Sequence, residues 1–217
     1  MLAIAKSLPA RDRGLPATLL DLSRYYTGPL VDPQQLVNDT LDLGQVPTGP
    51  QRLLGVDYDV RGVIYLSEES LGNDTPTRRG NIRVGQHAAA LHVLATSLGR
   101  SQTRRPVELA RIVLNYDDGS HADLPLVWSR QFAASWDDPN EFPQPQLAWF
   151  RPGWGGDQIS LFVMRLRNPH SERRIESLDL ETTKERWSVP VFVAITVEPP
   201  ATGTPLAAVG GAPVRRK

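Results

Sequence analysis

Turn signals recur about every ten residues through the middle of the chain, and the runs between them are short and rich in Val, Ile, Leu, Tyr and Phe. Such spacing has no room for the crossover helices of βαβ units and fits a sandwich or barrel of antiparallel strands. The clearest pair is VELARIVLNY (107–116), then DDGS (117–120), then HADLPLVW (121–128). A period of two places Ala110, Ile112, Leu114 and Tyr116 on one face of the first arm and Leu124, Leu126 and Trp128 on one face of the second. Asp-Gly supplies the positive φ that a tight turn needs. Pro125 cannot donate to a ladder, so the second arm is predicted to be an edge strand or to bulge there.

Further strands are predicted at VDYDVRGVIYLS (56–67), AALHVLATSLG (89–99), ISLFVMRLRNP (159–169), RIESLDLETT (174–183) and SVPVFVAITVE (188–198). In the last, Val189, Val191, Val193, Ile195 and Val197 alternate strictly with Pro190, Phe192, Ala194 and Thr196, which predicts a central strand buried on both faces and the last of the core. Ala and Leu give residues 89–99 some helix propensity, but their neighbours are strands and Gly85 and Gly99 bound them closely. LVDPQQLVNDTL (30–41) is the one candidate helix, with Asp32 as N-cap, Pro33 at the first helical position and Leu36, Val37 and Leu41 as an apolar stripe. AASWDDPNEFPQP (133–145) is too proline-rich for regular structure and reads as a long ordered loop of the kind that carries function. The fold expected is all-β, an antiparallel jelly-roll-like β-sandwich of about ten strands with one short helix. It spans residues 18–198, with an N-terminal extension over 1–17 and a disordered Pro/Gly/Ala-rich tail over 199–217.

Lys plus Arg and Asp plus Glu both number 24, and the Arg pairs at 78–79, 104–105 and 173–174 are scattered, so nothing here attracts nucleic acid. Without cysteine there is no disulfide, thiolate metal site or cysteine nucleophile. The opening MLAIAKSLPARDRG has an apolar stub too short for a signal peptide, and no later run approaches the ~20 apolar residues of a membrane span. Membrane insertion is therefore not expected, and the location is extracytoplasmic only if the chain belongs to a larger exported protein.

Catalytic patterns are missing. His87, His92, His121 and His170 form no HxH or HExxH pair, and the spacing of the first two puts them on opposite faces of a strand. No serine lies in a GxSxG elbow. The carboxylate pairs Glu68-Glu69, Asp117-Asp118 and Asp137-Asp138 are adjacent residues, whose side chains diverge on a strand. The chain is read as a non-enzyme with no certain cofactor. Asp57 and Asp59, on one strand face near Gly55, are the candidates for a structural calcium. Asp59 and Arg61 also share a face, expected to be an exposed charged pair, with ligand contact as the alternative. Trp136, Trp154 and Trp187 lie in or beside loops rich in Asp, Asn, Arg and Gly. A flat indole packs against the C–H face of a sugar while Asp137, Asp138 and Arg151 hydrogen-bond its hydroxyls, so this mixture suits a carbohydrate site. Trp128 and Trp149, at strand positions, are expected to plug the core.

The strings DLSRYYTGPL (21–30), LDLGQVPTGPQRLLGVDYDVRGVIYLS (41–67), HVLATS (92–97), VLNYDDGSHADLPLVWSRQFAASWDD (113–138) and LETTKERWSVPVFVAITVE (180–198) resemble an uncharacterised bacterial domain. It is common as a C-terminal module in planctomycete-like multidomain proteins and looks like the galactose-binding-domain-like jelly rolls. The most specific element is the Asp-Val-Arg-Gly-Val-Ile string at 59–64. The resemblance implies binding of carbohydrate or another extended ligand by loops at one end, in some cases with a structural calcium, and no catalytic residues carry over. Residues and resemblance together give a non-catalytic carbohydrate-binding module, and the alternative is a structural or protein-interaction module whose loops form an interface. The partner is accordingly a glycan or a protein, in an oligomeric state that the sequence does not reveal.

Overall fold

A computed structural model describes residues 8–30, 43–67, 76–98, 106–130, 133, 145–152, 158–183 and 188–201. Among these, eleven strands and no helix are present: β1 (Gly49–Leu53), β2 (Val56–Val60), β3 (Ile64–Tyr65), β4 (Arg78–His87), β5 (Ala90–Leu98), β6 (Glu108–Tyr116), β7 (His121–Val127), β8 (Gln146–Pro152), β9 (Gln158–Arg167), β10 (Arg174–Thr182) and β11 (Val189–Glu198). The chain is all-β. The expected helix at 30–41 lies, apart from Leu30, outside the described residues.

Two antiparallel sheets face each other, in the orders β3-β11-β5-β9-β8 and β4-β10-β6-β7, and β1 and β2 form a separate hairpin. With β8 set aside as an added edge, these are the two interleaved four-stranded sheets of a jelly roll. Ile82, Val84, Leu91, Val93, Ile112, Leu114, Met164, Leu178, Leu180 and Phe192 fill the space between them, and Trp128 is buried there as expected. A second apolar cluster lies on the other side of the five-stranded sheet, where Leu94, Leu161, Val163 and Val191 meet Leu30, Leu43, Val46, Tyr58 and Val60. Trp149 is partly buried against this outer cluster.

β11 is buried along nearly its whole length, as a strand covered on both faces must be. Its alternation is not one face throughout. Register against β5 shifts between Phe192 and Ala194, so one extra residue turns the strand over. Val189, Val191 and Val193 therefore join the outer cluster, whereas Ile195 and Val197 join the core between the sheets.

The predicted hairpin is β6–β7. Gly119 has φ +81°, its N–H donates to Tyr116 O at 3.1 Å, and Tyr116 N–H donates to Ser120 O at 2.9 Å. β7 is an edge of the four-stranded sheet, which accommodates Pro125.

Three expectations change. The run 56–67 is two strands, because the chain bends at Arg61 and Gly62, where a side chain at 62 would come within 3 Å of Tyr26, Leu8 and Gly28 O. His87 and His92 sit in different sheets rather than on opposite faces of one strand, since the chain crosses from β4 to β5 between them. Residues 8–17, expected to lie outside the domain, contribute to it: Leu8 packs on the core, Ala17 O accepts a hydrogen bond from Gln86, and Arg11 enters an ion network described below.

On the outer side of the five-stranded sheet, Glu198 accepts from His92 Nε2 at 2.8 Å and from Arg165 Nε and Nη2 at 2.7 and 2.8 Å. Hydrogen bonding to Arg165 is the main reason its carboxyl is held down at about 2, with His92 adding to the effect. A depressed folded pKa means stability present above the ordinary value near 4.5 and lost as pH falls toward about 2. Titration by NMR should find the Glu198 midpoint near 2, and Glu198→Gln should flatten the stability change across that window; a midpoint at 4 or above would show the pairing to be solvated.

Candidate functional site

Of the site residues singled out on the sequence, Asp59, Arg61 and Arg151 are among the described residues. Trp136, Asp137, Asp138 and Trp154 lie outside the described residues, as does Trp187. Arg151 is on β8, at an edge of the five-stranded sheet, where its Nη1 donates to Pro152 O at 3.1 Å.

Asp59 and Arg61 are 4% and 3% exposed, which corrects the expected exposed pair. Asp59 Oδ2 accepts from Arg11 Nη1 at 2.5 Å and from Arg61 Nε at 3.0 Å. Arg61 Nη2 also donates to Asp21 Oδ1 at 3.0 Å and to Ser23 Oγ at 2.6 Å, and its guanidinium lies 5.7 Å from the Tyr26 ring centroid. Arg11 Nη2 reaches back to Leu19 O at 2.7 Å. Partial burial would raise the Asp21 carboxyl, but hydrogen bonds from Ser23 and the charges of Arg11 and Arg61 hold it below the ordinary range. This network fastens residues 9–23 across the end of β2, and the Asp-Val-Arg-Gly string is thus a structural clasp. Asp57 points elsewhere, toward Arg52 at 3.4 Å, and no group of three or more His, Asp or Glu side chains among the described residues is placed to hold a metal ion.

A recess lies on the outer face of the four-stranded sheet. It is a groove of about 650 Å³ lined by β4 (Arg78, Asn81, Arg83), the end of β6 with its turn and the start of β7 (Asn115, Ser120, His121), and β10 (Arg174, Glu176, Ser177, Asp179). Two bulges shape it. In β10 the register against β6 shifts between Ile175 and Ser177, so that Glu176 and Ser177 both line the groove. In β4 the shift opposite Leu178 to Leu180 coincides with Asn81 at φ +60°, and Tyr25 Oη donates to Asn81 O at 2.6 Å.

Asp179 is the fixed acceptor in the floor. Its Oδ1 accepts from Asn81 N–H at 2.7 Å, and its Oδ2 from Arg78 Nη2 at 2.6 Å and Asn115 Nδ2 at 3.1 Å. Burial pushes its carboxyl up, but these three hydrogen bonds outweigh that and keep it ionised below the ordinary range. Tyr116 also lines the groove, yet its ring is 2% exposed and edge-on to His170, so it is no stacking platform. The groove presents amide, hydroxyl, guanidinium and carboxylate groups held on strands.

No family model matches this chain, and no curated protein does. Chemistry and geometry therefore carry the functional reading.

None of the groove residues was among the site residues expected from sequence. Their signal was the outward phase of β10, Arg174 and Glu176 against inward Ile175, but nothing local says that β4 and β6 flank that strand.

Proposed function

We propose that this chain is a non-catalytic binding module and that its ligand is a carbohydrate held in the groove on the four-stranded sheet. The groove itself carries the reading, a polar recess of about 650 Å³ on strands, in which exposed Arg83 and Arg174 offer donors and exposed Glu176 an acceptor to a ligand's hydroxyls. The jelly-roll topology agrees with it, although one fold hosts many functions.

A protein-interaction module is the second reading, and a specific observation favours it. β8 is an edge strand whose Phe150 is 54% exposed, which is a feature of strands that pair with or pack on a partner. A glycan array probed with the folded chain, first with calcium and then with chelator, separates the two. The expected result is saturable glycan binding that survives chelation and weakens about 5-fold in Asn115→Ala, the cost of one neutral hydrogen bond. Silence across a broad array, with self-association or a captured partner instead, would refute the carbohydrate reading.

A further inference from the structure

Arg83 and Arg174 are both exposed, and both line the groove. Their guanidinium groups approach the same point above Gly85: a Cβ built on that glycine would lie 3.7 Å from Arg174 Nη2 and 3.8 Å from Arg83 Nε. Arg174 is held there by Nε donating to Gly85 O at 3.0 Å. Among the described residues neither arginine forms an ion pair, whereas Arg78, a few residues away, is bound to Asp179 and Glu181. Two cations side by side, Arg174 fixed through its Nε and keeping its Nη groups turned toward Arg83, form a receptor for a planar or tetrahedral oxyanion.

Arg83 also borders a second recess of about 450 Å³, formed with Arg24, Tyr25, Asp21 and Leu19 around the β4 edge. The two recesses therefore meet at one arginine, and Tyr25, anchored through its hydroxyl to Asn81 O, stands at the boundary with a partly exposed ring. Charge is mixed along this track, since Glu176 sits in the first recess and Asp21 in the second. A polyphosphate backbone would meet repulsion at both carboxylates, whereas an oligosaccharide with isolated acid groups meets the arginines with its charges and the carboxylates with its hydroxyls.

We infer that the ligand is an anionic oligosaccharide, whose carboxylate or sulfate sits between Arg83 and Arg174 and whose chain continues over the β4 edge past Tyr25. This rests on the carbohydrate reading above and narrows it to acidic glycans.

Calorimetric titration of the full chain with tetragalacturonate, a sulfated galactan tetramer, neutral cellotetraose and a tetraglutamate peptide tests it. The expected result is binding of one acidic sugar, identifying the group as carboxylate or sulfate, with affinity falling as salt is raised. Arg83→Gln and Arg174→Gln should each weaken that binding about 10-fold, as loss of a charge-assisted hydrogen bond does, while Arg111→Gln, on the same sheet face but outside the groove, should leave it unchanged. If cellotetraose binds as tightly as the acidic sugars and the arginine variants are silent, the anionic assignment fails and the carbohydrate reading stands. Equal binding of tetraglutamate would make the surface a charge-only peptide site and overturn the assignment. If the folded chain takes no sugar at all, both fail.

Discussion

Replacing Asp59 with alanine should destabilise the protein by about 3–5 kcal/mol, the usual result of leaving a buried charge without its partner. Among the described residues Asp59 is the only carboxylate paired with Arg11, and it shares Arg61 with Asp21, whose side chain is 57% exposed. Without it, Arg61 remains 3% exposed beside a second guanidinium, and the clasp joining residues 9–23 to the end of β2 loses its centre. For a chain of this size each kcal/mol lowers the melting temperature by about 2–4 °C, so a shift on the order of 10 °C is expected. Urea denaturation gives the free energy directly. The comparison that makes the result specific is Arg52→Ala, because Arg52 and Asp57 pair at 3.4 Å across the neighbouring hairpin with both side chains more than half exposed. That pair should be worth less than about 1 kcal/mol. A loss in Asp59→Ala no larger than in Arg52→Ala would mean that water reaches the network and that residues 9–23 are not fastened by it.

The same clasp marks where sequence reasoning stopped. Alternation correctly put Asp59 and Val60 on opposite faces of a strand, but whether a strand face meets solvent depends on what crosses it. Here the cover comes from Arg11 and Asp21, 48 and 40 residues away from the side chains they bind. The β6–β7 hairpin was legible for the opposite reason, since its two faces, its Asp-Gly turn and its edge proline are all local. β11 lies between these cases. Its apolar character on both faces was visible, and the side each residue takes was not, because a one-residue bulge reverses the phase after Val193 without any residue that announces it. The groove was least legible. It depends on β4 and β6 flanking β10, an adjacency between strands distant in sequence, and on two bulges that present Glu176 with Ser177 and turn Asn81 toward Asp179. Trp136 and Trp154, read from loop composition as stacking surfaces, lie outside the described residues.

Asn168→Asp should be nearly as costly as Asp59→Ala at neutral pH, although it changes a single group. Asn168 follows β9 and is 2% exposed, at the end of the sandwich where β9 turns toward β10. Every polar position of its amide is used. Oδ1 accepts from Tyr116 Oη at 2.5 Å and from His170 N–H at 3.0 Å, and Nδ2 donates to Ala88 O at 2.9 Å and His170 O at 3.2 Å. The backbone partners fix the orientation of the amide, since a peptide N–H must face the oxygen and two carbonyls must face the nitrogen. Aspartate keeps the shape and both accepted bonds but turns an oxygen toward two carbonyl oxygens. The lost donors and the buried charge together should cost about 3 kcal/mol or more at pH 7. Burial among carbonyls raises the folded pKa of the new carboxyl above the unfolded value near 4, so its penalty is full at high pH and shrinks as pH falls through the folded pKa toward the unfolded one. The stability gap between the parent and Asn168→Asp should therefore narrow on acidification, while Tyr116→Phe, which removes one donor and adds no charge, should cost about 1 kcal/mol. A gap that is small at pH 7, or one that stays constant as the pH is lowered to 4, would show that solvent enters this turn and that Asn168 does not seal it.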